Sequence, residues 1–134
     1  MTKFFSKYKI IFYLTNFLLI ILYIFPGSLL GCVFLNDCTI QPQITSDSSD
    51  LIISTNHFFA FAFISVIGFY TFTKSNHIKY LILYLIFLSI ILEIFHLIIP
   101  ERSFQFVDLL GNLLGVIIVI FIYSLINKYG VFKK

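Results

Sequence analysis

Residues 93–115 read EIFHLIIPERSFQFVDLLGNLLG. The stretch is the end of one apolar run, a short polar joint and the start of another. Glu93, His96, Glu101, Arg102 and Asp108 stand close together in a chain otherwise dominated by Ile, Leu and Phe. Ionisable groups beside long apolar runs are costly to keep, so this joint is where function is to be sought.

The 134 residues are 60% hydrophobic and 11% charged, with 18 Phe, 8 Tyr and no Trp. An ordinary soluble domain carries about 25% charged residues. A chain of this size cannot hide so much apolar surface from water, so lipid is the solvent for most of it. Working outward from the joint gives four runs: Ile10–Phe25, Asn56–Thr73, Tyr80–Ile99 and Leu109–Ile126. The third is long enough for a helix of about 30 Å, the thickness of a hydrocarbon core. The expected fold is all-α, one integral membrane domain over residues 1–134, built as a bundle of four transmembrane helices.

The first run is interrupted by Pro26-Gly27 and continued by Ser28–Leu35, which reads as one span with a kink near its end. Lys3, Lys7 and Lys9 before it also suit a signal peptide, and Leu29-Leu30-Gly31-Cys32 resembles a lipoprotein cleavage site. A retained first span is the preferred expectation, because the apolar core is long and Leu30 is bulky for that motif. Residues 36–54 and 100–108 form polar loops on one side. Cys32 and Cys38 flank the first; they would bridge on an oxidising side, or remain two separate thiols.

Charge sets the orientation. Eight of the nine Lys/Arg residues fall in the N-terminal segment, the 74–79 turn and the C-terminal tail; Arg102 is the exception. Asp37, Asp47, Asp50, Glu101 and Asp108 fall in or beside the opposite loops. The positive-inside rule then places both termini in the cytoplasm. The same distribution argues against nucleic acid as a partner, since no basic face with interleaved aromatics exists.

This topology gathers His57, Glu93, His96, Arg102, Asp108 and Asn112 at the outer face. Spacings of three and four put Glu93 with His96, and Asp108 with Asn112, on shared helical faces. Glu93 is expected about 10 Å below the end of a helix that runs to Pro100. Arg102 is expected to pair with Glu93 or Asp108, or to hold an anion. Structural roles compete: Asp108 suits a helix N-cap, Asn112 a hydrogen bond between helices, and Gly111 with Gly115 a close helix contact.

At these residues the chain resembles the VanZ-like family of small bacterial membrane proteins. The shared pattern is Pro26, His57-Phe58 with Phe61, Glu93, Pro100 with Arg102 and Asp108, and Asn112 with Gly115. His96 stands where that family usually has Gln, Glu101 where Gly is common, and Val119 in place of a further Gly. The resemblance implies a multi-pass protein of the bacterial inner membrane. It also implies a link to resistance against teicoplanin, a lipid-tailed glycopeptide that acts at the outer membrane face.

The functional expectation is a non-enzymatic envelope protein. Its outer cluster would bind membrane lipid, the head group of a cell-wall lipid intermediate, or a membrane-protein partner. No cofactor and no metal is expected on this reading. The alternative is a membrane-embedded hydrolase or transferase acting on a lipid phosphate, with Glu93 as base, His96 as acid and Arg102 as anion clamp. A metal held by His57, Glu93, His96 and Asp108 is a variant of that alternative. No HExxH and no phosphate-binding glycine loop supports it.

Overall fold

The computed structural model describes residues 2–42, 53–73 and 77–130, with side chains from Tyr8 onward. Asp47, Asp50, Lys74, Lys133 and Lys134, which entered the charge argument, lie outside the described residues, as do the side chains of Lys3 and Lys7. Five helices follow in order: α1 (Thr2–Ile24), α2 (Leu29–Leu35), α3 (Thr55–Phe72), α4 (Ile78–Phe95) and α5 (Phe106–Tyr129). No strand occurs among the described residues. Helices α3, α4 and α5 are each long and apolar enough to cross a membrane; α1 with α2 makes a fourth span only if the bent pair is counted as one.

The first span departs from the expected kink. Helix α1 stops at Ile24, and α2 leaves it at 88°. Pro26 cannot continue the hydrogen-bond ladder, and Gly27 takes the left-handed conformation at φ +68°. Ser28 then starts α2, accepting from the Gly31 N–H at 3.0 Å, while its own N–H reaches the Cys38 carbonyl at 2.7 Å. Cys32 and Cys38 are joined by a disulfide, which ties α2 to the segment returning beneath it. A sulfur in that bond is not available for acylation.

The last turn of α4 is the second departure. The helix ends at Phe95 rather than continuing to Ile99. The N–H groups of His96, Leu97 and Ile98 bond instead to Glu93, Ile94 and Phe95, three residues back. Pro100 disfavours helical geometry at the residue before it, and the tightened turn satisfies carbonyls that a further α-helical turn would have used. Glu93 therefore sits at the very end of α4 and not two turns below it.

Helix α5 packs most closely on α3. A Cβ added at Gly115 would overlap the Phe58 carbonyl and lie 2.9 Å from the Ala62 nitrogen; one at Gly111 would lie 2.6 Å from the Ser54 carbonyl. Only glycine lets these two backbones approach so far. Phe61, Ile64, Leu85 and Val116 fill the interior, and Asn16 of α1 donates to the Tyr84 hydroxyl of α4. Phe17, Phe63, Leu83 and Phe121 point outward, as a lipid-facing surface requires.

Candidate functional site

The end of α1, the start of α3, the end of α4 and the start of α5 meet at one end of the bundle. Glu93 is fully buried there. Its Oε1 accepts the Gln105 backbone N–H at 3.0 Å, at the start of α5. A helix N-terminus offers just such orphan donors and a favourable dipole to a carboxylate. The other oxygen, Oε2, lies 3.3 Å from His96 Nδ1 and has no hydrogen-bond donor. The His96 Nε2 is 3.1 Å from the Tyr23 carbonyl, and its ring stacks on the Tyr23 ring with centroids 5.7 Å apart. A carbonyl only accepts, so Nε2 carries the proton. In the neutral ring that leaves Nδ1 as a lone pair facing Oε2.

His57, in the first turn of α3, has Nδ1 2.8 Å from Ser54 Oγ and 3.4 Å from Asp108 Oδ1. Ser, His and Asp thus meet, but both partners address the same ring nitrogen. A nucleophile relay needs the two nitrogens separately, so this trio is not a catalytic triad. Asp108 is not the N-cap of α5 as its sequence position suggested. The helix starts three residues earlier, with Gln105 at the cap, so Asp108 lies in the first turn and turns inward to His57.

Arg102 corrects a further expectation. It pairs with neither Glu93 nor Asp108. Its Nε and Nη2 donate to the Phe25 and Leu22 carbonyls at 3.3 and 3.1 Å, closing the end of α1. Cations favour that end of a helix, where carbonyls lack partners. Burial holds its pKa below the ordinary guanidinium value, while the nearby Tyr23, Glu93 and Asp108 oppose that shift.

Asn112 lies deeper. Its Oδ1 accepts the Tyr23 hydroxyl at 2.7 Å, and its Nδ2 donates to the Ser89 carbonyl at 3.2 Å. The sequence did not mark Tyr23, yet it is the hub: buried, and in ring contact with His57, His96 and Phe61. A Tyr near a span end reads as an interfacial residue, and only its place three residues before Pro26 hinted at more. Gln105 acts through its backbone and left no signal in the sequence. Glu101 has φ +61°, the left-handed region that glycine adopts most freely.

Two cavities meet at this end. A groove of about 740 Å³ runs between α1, α2 and α3, walled by Leu19, Leu30, Phe34, Ala60 and Phe63 and ending at Tyr23, His57, His96 and Arg102. A polar pocket of about 80 Å³ lies beside it, lined by Thr39, Glu101, Ser103, Gln105 and Asp108. Ser28, Gln41, His96 and Arg102 line both. Such a junction suits a molecule with an apolar tail and a small polar head.

Of the six residues expected at the site, His57, Glu93 and Asp108 offer ligand atoms all within 4.8 Å of one another. His96 joins them through Glu93, Asn112 is linked through Tyr23, and Arg102 borders both cavities from the end of α1. No curated protein and no solved structure matches the chain significantly. The sequence model of the VanZ/LLP1 family matches residues 3–127, reaching into every helix and covering all six of these residues. The apolar helices mark a membrane protein, and the chain belongs to the VanZ/LLP1 family.

Proposed function

We propose that the chain is a non-enzymatic protein of the bacterial cytoplasmic membrane that holds an amphipathic lipid at its outer leaflet, either a membrane lipid or a cell-wall lipid intermediate. In this reading α1 and α2 count as one broken span, giving four, with both termini in the cytoplasm. The Lys-rich ends and the acidic opposite side support that orientation, and a disulfide suits the oxidising side.

The observation that carries the reading is the junction of the two cavities at Ser28, Gln41, His96 and Arg102. The groove takes an acyl or isoprenoid chain. The polar pocket takes the head, with the remaining Arg102 donors turned to an anionic group. Protection against a lipid-tailed glycopeptide would follow from occupancy of this surface or from custody of the lipid the drug depends on.

The close Glu93–His96 pair favours a second reading, turnover of a lipid phosphate by acid–base chemistry. It ranks behind binding because Glu93 is wholly enclosed and one of its oxygens is committed to the backbone.

Native mass spectrometry of the purified protein tests the proposal, with wild type beside Ala60→Phe. Ala60 lines the groove and is not one of the polar residues of the cluster, so the larger ring takes space from the groove. A defined anionic lipid kept by wild type and lost by the variant is the expected result. Identical bulk lipids on both would overturn it. Turnover of the retained lipid by wild type but not by Glu93→Gln would favour the second reading.

A further inference from the structure

Two carboxylates lie at the cluster, and among the described residues their ionisable partners are histidines: His57 beside Asp108 and His96 beside Glu93. Glu93 and Asp108 both lie inside the bundle end, and among the described residues neither pairs with a Lys or Arg. Arg102, the nearest base, donates to two main-chain carbonyls of α1. The Tyr23 hydroxyl donates to Asn112. Buried carboxylates without a partner are costly, and proteins resolve them by protonation, with a pairing cation or with a metal.

We infer that His57, Glu93 and Asp108 form a binding site for a divalent transition-metal ion. The three come from three helices: the first turn of α3, the last turn of α4 and the first turn of α5. Each offers one ligand atom within 4.8 Å of the other two. Around zinc, with bonds of about 2.1 Å, tetrahedral ligand atoms stand roughly 3.4 Å apart. His57 Nδ1 and Asp108 Oδ1 already stand at 3.4 Å. Glu93 Oε2, enclosed and without a hydrogen-bond partner, is the independent sign that this carboxylate has coordination capacity to spare.

The surrounding groups suit such a centre. The Gln105 N–H fixes the Glu93 carboxylate by its other oxygen, as outer-shell donors commonly do at metal sites. Ser54 Oγ now sits at His57 Nδ1 and is the group an ion would displace. The His96 Nδ1 stands 3.3 Å from Glu93 Oε2 as the next donor. One imidazole with two carboxylates suits zinc, manganese or iron better than calcium or magnesium, which prefer oxygen alone. Asp108 also lines the small polar pocket and His57 the groove, so an ion here would face both. The inference does not depend on what occupies the groove.

The test is metal content and stability of the full chain in detergent. Protein is stripped with chelator, reloaded with zinc or with manganese, and washed. Elemental analysis is expected to give one ion per chain, and the melting temperature is expected to rise on loading. Asp108→Asn and Glu93→Gln keep the side-chain shapes and are each expected to weaken binding at least tenfold and abolish the thermal shift. Wild-type protein that neither retains nor is stabilised by zinc or manganese overturns the inference. So does retention unchanged in both variants, which would put the ion elsewhere. Should a variant misfold, the wild-type stoichiometry and thermal shift still decide whether an ion is held, and His57→Gln then supplies the ligand test.

Discussion

The Tyr23 hydroxyl donates to Asn112 Oδ1 at 2.7 Å, across 89 residues of sequence, and so joins α1 to α5 inside the bundle. Asn112 passes the link on to the Ser89 carbonyl of α4. Tyr23→Phe keeps the ring that stacks on His96 and removes only the donor. The buried amide oxygen is then left without a partner, at a cost of about 1–3 kcal/mol. A lower melting temperature in detergent is expected, with lipid retention reduced less than in Ala60→Phe.

Gly115→Ala should be the more damaging change. Its methyl group would meet the Phe58 carbonyl and the Ala62 nitrogen, which are backbone and cannot turn aside. Helices α3 and α5 would have to separate, for a loss of about 1–3 kcal/mol. Since both helices carry site residues, metal retention should fall along with thermal stability. Unchanged melting would mean that the helices pack less closely than described.

Arg102→Ala removes the group that closes α1. The Leu22 and Phe25 carbonyls lose their donor, with an expected cost of about 1–3 kcal/mol. Arg102→Lys supplies one ammonium in place of a planar fork and should recover part of the stability. Denaturation of the three proteins side by side checks the order wild type, Lys, Ala.

Glu101→Gly is expected to stabilise. A side chain at φ +61° costs about 1 kcal/mol relative to glycine, which adopts that conformation freely. A raised melting temperature is the expected outcome. A lowered one would show that the Glu101 carboxylate, which reaches over Gly27, makes contacts worth more than the strain.

Reduction of the Cys32–Cys38 bond should loosen α2. The bond closes a short loop, for which chain entropy alone suggests about 2 kcal/mol. Hydrogen exchange in α2 is expected to quicken on reduction while α4 stays unchanged. Equal exchange before and after would mean that the Ser28 cap and the Ser28–Cys38 hydrogen bond hold α2 by themselves.

The helical membrane class was legible from run lengths and from the scarcity of charge. So was the meeting of His57, Glu93 and Asp108, because antiparallel helices must bring the end of one span beside the start of the next. The rest was decided by backbone groups, which leave little mark in sequence. Arg102 looked like a partner for acids, but α1 ends in unsatisfied carbonyls within its reach. Asp108 looked like a cap, but Gln105 extends α5 beyond it. The early end of α4 depends on three-residue hydrogen bonds before Pro100, and the burial of Tyr23 depends on where α1 stops.

The 88° corner between α1 and α2 has a consequence for selectivity. On the proposed lipid-binding reading it opens the groove to hydrocarbon, bordered by outward-lying Leu30, Phe34 and Phe63. A guest entering sideways from the leaflet exchanges one oily neighbourhood for another and gains little from its tail. Discrimination between guests would then rest on the head alone, at the few polar atoms around Arg102 and His96. Occupancy would follow the guest's mole fraction in the leaflet, so detergent that dilutes the lipid would empty the groove without harming the fold.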